Sequence, residues 1–129
     1  MCIRDRAATH PKGAYPWGPD EPTPELMNFD GNVGNPTPVG IYQAGAAPGG
    51  HLDMAGNVWE WCEDWYREDH DKKVTSAEDI DIGARRVFRG GSWFTSARDC
   101  RSAIRGISEP DYRYGYVGFR LVRSVTLGP

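Results

Sequence analysis

Long apolar runs are absent from this sequence, which excludes a membrane-spanning helix within it. Cysteine is scarce, at 3 residues, so a densely disulfide-bonded scaffold is excluded as well. Histidine also occurs only 3 times, at His10, His51 and His70, without metal-ligand spacing. Neither sign of charge dominates: 15 Lys and Arg stand against 18 Asp and Glu, for a net charge of -3. That balance speaks against nucleic acid as a partner and against a polyanionic tail. Helix signals are weak everywhere, and there is no internal repeat, low-complexity tract or visible signal peptide. What remains is turn and ring chemistry, with 16 Gly, 10 Pro, 5 Trp and 6 Tyr in 129 residues. A chain of this length makes one domain with a modest core. Its composition points to a loop-rich fold pinned by aromatic anchors.

The first six residues, Met1-Cys2-Ile3-Arg4-Asp5-Arg6, resemble the translated end of a transposon-type sequencing adapter, as found at the edges of metagenomic assemblies. They are set apart as a scar (1–6), leaving residues 7–129 as natural sequence. Cys62 and Cys100 then remain, either as one disulfide or as two thiols, and the redox compartment stays open.

The densest stretch is Asp53-Met54-Ala55-Gly56-Asn57-Val58-Trp59-Glu60-Trp61. Asp53, Gly56 and Asn57 are turn formers. Trp59 and Trp61 would share one face of a strand, and Val58 and Glu60 the other. The segment reads as a tight turn feeding a strand. Two chemical readings follow. Asp53 and Glu60, with carbonyls bared by the turn, could ligate a hard cation such as calcium, though not with EF-hand spacing. Alternatively, Asp53 caps the turn and Glu60 pairs with an arginine.

Elsewhere, Tyr15-Pro16-Trp17-Gly18 reads as a loop whose rings plug the core edge, and Pro19 to Pro38 as a loop. Short strands are expected at Pro38–Tyr42, Arg85–Arg89, Arg101–Arg105 and Gly118–Arg123, the last from its alternation. Gly90-Gly91 should end the second of these, as a bulge or a close backbone approach. Phe94–Asp99 should be a loop or a single helical turn, and Arg67–Gly83 a charged, solvated loop.

Taken in order, several pieces resemble one family. They are Tyr15-Pro16-Trp17-Gly18, Pro38-Val39-Gly40, Asp53 to Trp61, Asp64-Trp65-Tyr66, Arg89-Gly90-Gly91-Ser92-Trp93, Arg101-Ser102-Ala103 with Arg105, and Gly118-Phe119-Arg120. The set is similar to the formylglycine-generating-enzyme, or sulfatase-modifying-factor, family across nearly all of Ala7 to Ser124, and matches the C-terminal part of that domain. The resemblance implies an α+β, C-type-lectin-like fold of short twisted strands, few helices and much irregular structure. It also implies calcium, with Asp53 and Glu60 as side-chain ligands and Gly56 and Val58 as carbonyl ligands. A second calcium site would fall at Asn28 and Phe29, with Asp30 or Asn32 as substitutes for the rest.

The family's enzymes oxidise a substrate cysteine to formylglycine, using oxygen and a copper ion between two cysteines. Soft thiolates select Cu(I). Here the first cysteine position falls on Thr95 and the second, across a small deletion, on Cys100. Copper is therefore not expected, and neither is formylglycine-generating activity. If a pocket operates, it lies at Ser92, Thr95, Cys100 and Arg105, with Cys100 as thiolate ligand or nucleophile and Arg105 contacting peptide or ligand. A sister branch of iron-dependent sulfoxide synthases uses histidine ligands, which this sequence does not present at ligand spacing.

The same lectin-like family includes retroelement-diversified binding proteins whose variable segment runs from Gly-Gly-Ser-Trp to Gly-Phe-Arg around Cys-Arg-Ser-Ala. Here that segment carries Cys100-Arg101-Ser102-Ala103. Codons ending in a pyrimidine cannot encode Lys, Gln, Glu, Met or Trp, and between Phe94 and Val117 the one such residue is Glu109. Trp93, Phe94, Thr95, Tyr112, Tyr114 and Tyr116 are the candidate ligand-binding positions, since adaptable binding loops favour tyrosine with small polar residues. The expected partner is a peptide or protein. A calcium-stiffened accessory domain, fused to an upstream sensor, kinase or other enzyme, is a third reading.

Overall fold

The structure, a computed structural model, describes residues 13–66 and 85–121. Four short strands form its sheet: β1 (Trp59–Trp65), β2 (Arg86–Arg89), β3 (Arg105–Ser108) and β4 (Val117–Phe119). Single 3-10 turns occupy Gln43–Gly45 and Ala97–Cys100. The sheet order is β3-β2-β1-β4. β1 and β2 are antiparallel, as are β2 and β3, whereas β4 runs parallel to β1. Short strands, little helix and extensive irregular backbone are the α+β, C-type-lectin-like architecture that the sequence implies. No helix among the described residues is long and apolar enough to cross a membrane.

β1 is a strand because its rings have a place to pack. Trp59 and Trp61, two residues apart, both meet Phe88 of β2 edge-on, at 5.0 and 5.4 Å between centroids. Aromatic pairs across strands stabilise a sheet directly. Phe88 in turn lies over its β3 partner Gly106, where any Cβ would collide with the ring.

The core is small, and part of it is polar. Met27, Ala55 and Cys100 form one buried cluster with Trp17 and Phe29 against it. Asn28, Asn57, Glu60, Arg89, Ser92 and Ser102 are buried alongside. Loops rather than helices surround this core, so backbone groups must be satisfied loop to loop. Asn57 N–H donates to Asn28 O at 2.8 Å, Gly56 N–H to Gly90 O at 2.7 Å, and Trp93 N–H to Asn57 O at 2.8 Å. Asp30 and Gly31 N–H groups donate to Thr95 O and Trp93 O. Three loops, around Asn28, Gly56 and Ser92, are thereby tied together. Tyr15 is buried as expected, stacks on Trp17 at 5.3 Å, and its hydroxyl donates to Ala97 O at 3.2 Å.

Three strand expectations are corrected, the first being the closing strand expected at Gly118–Arg123, which is Val117–Phe119 and leaves Arg120 and Leu121 beyond its end. Pro38–Tyr42 is a turn: Gly40 has φ 81° and gives its N–H to the Asp53 carboxylate, which no strand partner could then use. The strand placed at Arg101–Arg105 begins at Arg105 instead. Residues before it turn, with Arg101 N–H on Arg98 O, Ile104 N–H on Arg101 O, and Ser102 N–H on Ala14 O. The Gly90-Gly91 break, the strand before it and the helical turn after it are where the sequence places them. The charged segment Arg67–Gly83 and the residues 1–6 lie outside the described residues.

Candidate functional site

The segment from Asp53 to Val58 is a turn that feeds β1 at Trp59, as its residue types require. Asp53, Gly56 and Asn57 have φ of 55°, 73° and 65°, a left-handed region that glycine and Asn or Asp enter most cheaply. A Cβ at Gly56 would run into Asn28 O, so glycine is required there on two counts. Asp53 Oδ2 accepts the Gly40 N–H at 2.6 Å. Glu60, 6 % exposed, is gripped by Arg120: Nη2 donates to Oε1 at 2.7 Å and Nε to Oε2 at 3.0 Å. Arg120 Nη2 also reaches the carbonyl oxygens of Leu52 (2.9 Å) and Asp53 (3.2 Å). Hydrogen bonding to the Glu60 carboxylate pushes the Arg120 pKa up, against the opposing effect of its own burial. Capping by Asp53 and pairing of Glu60 with an arginine is therefore the arrangement present.

A carboxylate has about four acceptor positions, and the fork occupies one on each Glu60 oxygen. Among the described residues, no three His, Cys, Asp or Glu side chains gather as a metal cluster. A cation here would thus need carbonyl and amide oxygens as well. The carbonyls of Gly56 and Val58 receive no hydrogen bond among the described residues. The donor set of Asp53, Gly56, Val58 and Glu60 fits a hard, oxygen-seeking ion in kind.

The second candidate position also offers an oxygen. Asn28 is wholly buried, and its Oδ1 has no hydrogen-bond partner among the described residues. Its Nδ2 donates to Asn35 O at 2.9 Å, so the amide is held with that oxygen fixed. Phe29 beside it closes a turn in which Asn32 N–H donates to Phe29 O at 3.0 Å and Asn32 Oδ1 accepts the Phe29 N–H. Asn57, which the sequence reading treats only as a turn former, is the hinge between the two positions. Its Oδ1 accepts from Thr37 N–H at 2.9 Å and its Nδ2 donates to Thr37 O at 3.2 Å.

Thr95 and Cys100 are brought together, with Oγ1 and Sγ 3.7 Å apart. Ser92 completes the group: Thr95 Oγ1 accepts the Ser92 N–H at 2.8 Å and donates to Ser92 O at 3.1 Å. Cys100 is 0 % exposed, and burial pushes its thiol pKa up despite favourable contacts from Thr95 and from the Gly56 and Ser92 backbones. Ser92 is equally buried. No disulfide joins Cys62 to Cys100. A single thiol and a hydroxyl do not fit Cu(I), which takes soft sulfur ligands. Arg105 lies at the start of β3, with its guanidinium 5.3 Å from the Tyr66 ring.

The remaining candidates form a ladder of rings. Trp93 meets Phe94 at 5.3 Å, Phe94 meets Tyr116 at 4.7 Å, Tyr116 stacks on Tyr114 at 4.9 Å, and Tyr114 tilts against Tyr112 at 3.6 Å. Phe94, Tyr112 and Tyr114 are exposed. Residues on either side of the variable-type segment thus share one surface. His51, the one histidine among the described residues, is exposed and belongs to neither group.

A profile described as the sulfatase-modifying factor enzyme 1-like domain matches residues 5–125. The chain belongs to that family. The domain is 36% identical over 126 residues to hercynine oxygenase of Mycolicibacterium thermoresistibile, covering 92% of this chain and 28% of that protein. It is 35% identical over 105 residues to formylglycine-generating enzyme of Streptomyces coelicolor, covering 76% and 32%. Serine/threonine-protein kinase pkn1 of Chlamydia caviae is 37% identical over 117 residues, covering 86% and 18%. Among solved structures, Treponema denticola variable protein 1 matches with a TM-score of 0.60 at 30% identity, covering 74% of this chain and 34% of that one. PvdO from Pseudomonas aeruginosa matches with a TM-score of 0.70 at 25% identity, covering 90% and 48%. The chain therefore spans less than half the length of these relatives.

Sequence reasoning missed the partner of Glu60. The signal was present in the Gly118-Phe119-Arg120 motif, but it becomes readable only once β4 lies parallel to β1 with Gly118 opposite Glu60.

Proposed function

We propose that this sulfatase-modifying-factor domain is a calcium-stabilised binding or accessory domain that recognises a peptide or protein and does not generate formylglycine. The observation that carries the reading is the Thr95 hydroxyl 3.7 Å from the Cys100 thiol, where copper chemistry would need a second thiolate. In this reading Asp53 and Glu60 side chains and the Gly56 and Val58 carbonyls hold calcium, with Asn28 and Phe29 as a further position. The ion supplies rigidity to loops that have no helix to brace them. The exposed rings of Phe94, Tyr112 and Tyr114, with Trp93, Thr95 and Tyr116 behind them, form the binding face. Similarity to a kinase of which the matched part is a small share supports an accessory role within a longer protein.

The test is mass spectrometry of a sulfatase-type cysteine peptide incubated with copper, oxygen and the full-length protein. An unchanged cysteine is expected. Conversion to formylglycine would reject the proposal and restore an oxidase, with Cys100, Ser92 and Arg105 as its candidate groups.

A second reading is retroelement diversification. Its support is the ring ladder, assembled from Phe94, Tyr112, Tyr114 and Tyr116, all inside the variable-type segment, and the match to a protein named variable protein 1. Sequencing the source locus decides it. Pyrimidine-ending codons at those positions and a near-copy of the segment beside a reverse transcriptase gene are required; without both, this reading falls.

A further inference from the structure

Glu60 is a buried anion, and the chain brings a cation to it from 60 residues away. One guanidinium nitrogen, Arg120 Nη2, donates to a Glu60 carboxylate oxygen at 2.7 Å and to the carbonyl oxygens of Leu52 and Asp53 at 2.9 and 3.2 Å. Nε closes the fork on the other carboxylate oxygen at 3.0 Å. A carboxylate and two carbonyls around one positive centre is the company a hard cation keeps. Asp53, whose carbonyl is one of these acceptors, has a left-handed φ of 55° and its own carboxylate accepts the Gly40 N–H.

We infer that Arg120 is the resident counter-cation of the 52–60 loop. It forms the loop in the absence of metal and lowers the affinity of that loop for calcium by competing for Glu60. The second half of this inference rests on the calcium reading above; the first half does not. Electrostatics gives the direction. Arg120 reduces the local charge of the Asp53 and Glu60 pair from two negatives to one, and calcium affinity follows the charge count of its ligands. An ion approaching Glu60 also meets a fixed positive charge at ion-pair distance, a repulsion weakened but not abolished by partial exposure of Arg120.

The experiment uses the full-length protein and its Arg120→Gln variant. Melting temperature is measured in chelator and in rising calcium, and calcium binding by titration calorimetry. The variant is expected to melt several degrees lower in chelator, to gain more from calcium than the parent, and to bind calcium roughly tenfold more tightly. A variant that melts like the parent in chelator overturns the inference; one that gains no more than a parent which does respond to calcium overturns its second half, and if neither responds, the calcium reading falls while a lower melting temperature in chelator still upholds the loop-forming role of Arg120. A parent that ignores calcium beside a variant that binds it upholds the inference and rejects only the calcium reading of the natural protein. If Arg120→Gln does not accumulate folded, Arg120→Lys, which keeps charge and loses the fork, serves instead. It should melt lower than the parent in chelator with calcium affinity within a few-fold of it; an unchanged melting temperature there overturns the proposal.

Discussion

The sulfur of Cys100 fills the space that a Cβ on Gly91 would need. Gly91 also has φ 76°, so the backbone and the packing ask for glycine separately. Gly91→Ala should therefore cost about 2–4 kcal/mol, from left-handed strain plus overpacking. Denaturant unfolding measures it. A midpoint equal to the parent's would mean that the Cys100 loop can retreat without penalty.

Cys100 should behave as a packed thiol. Burial holds its pKa above the ordinary thiol value, so folding favours the neutral form. The stability this contributes is complete below the unfolded thiol pKa, about 8.5, and is lost as pH rises towards the raised folded value. Native protein should resist alkylation at Cys100 near neutral pH, and Cys100→Ala should flatten the alkaline fall in melting temperature. Rapid labelling of Cys100 in native protein, located by peptide mass spectrometry, would contradict this.

Calcium should raise the melting temperature, and Glu60→Ala should abolish the increase. At a hundredfold excess over the dissociation constant the expected stabilisation is ~2.7 kcal/mol. Equal melting in calcium and in chelator would remove calcium from the proposed function.

Asn57→Ala should be more damaging than the loss of any one hydrogen bond suggests. The side chain satisfies both the N–H and the O of Thr37, and the residue adopts φ 65°. Stranding those backbone groups and forcing alanine into the left-handed region should cost about 3 kcal/mol. Asn57→Asp keeps the acceptor for the Thr37 N–H and should cost less. A ranking of the two variants by thermal unfolding checks the assignment, and the reverse order would refute it.

Much of the fold was legible because it is written in residue types with few uses. Gly-Gly before Ser92, and Asp, Gly and Asn before Trp59, announce turns, and paired Trp at spacing two announces a strand. Strand limits at Pro38–Tyr42 and Arg101–Arg105 were not legible. Gly40 is committed to Asp53, and Ser102 to Ala14, and such side-chain or loop partners leave no periodicity in sequence. The same holds for the site. Thr95 and Cys100 meet as the resemblance implied, because they lie on one short loop. Arg120 on Glu60 depends on a parallel pairing across 60 residues, which local pattern does not encode.

That parallel pairing bears on how the chain assembles. β1 lies between β2 and β4, yet among the described strands β4 is the last to be synthesised. Until Val117–Phe119 arrive, β1 has one edge open and Glu60 lacks its arginine. Closure of so distant a contact is entropically slow. The nascent domain therefore spends its vulnerable period with Trp59 and Trp61 beside an unprotected edge, and its folding rate should be governed by the final turn around Tyr116, not by the aromatic hairpin that forms first.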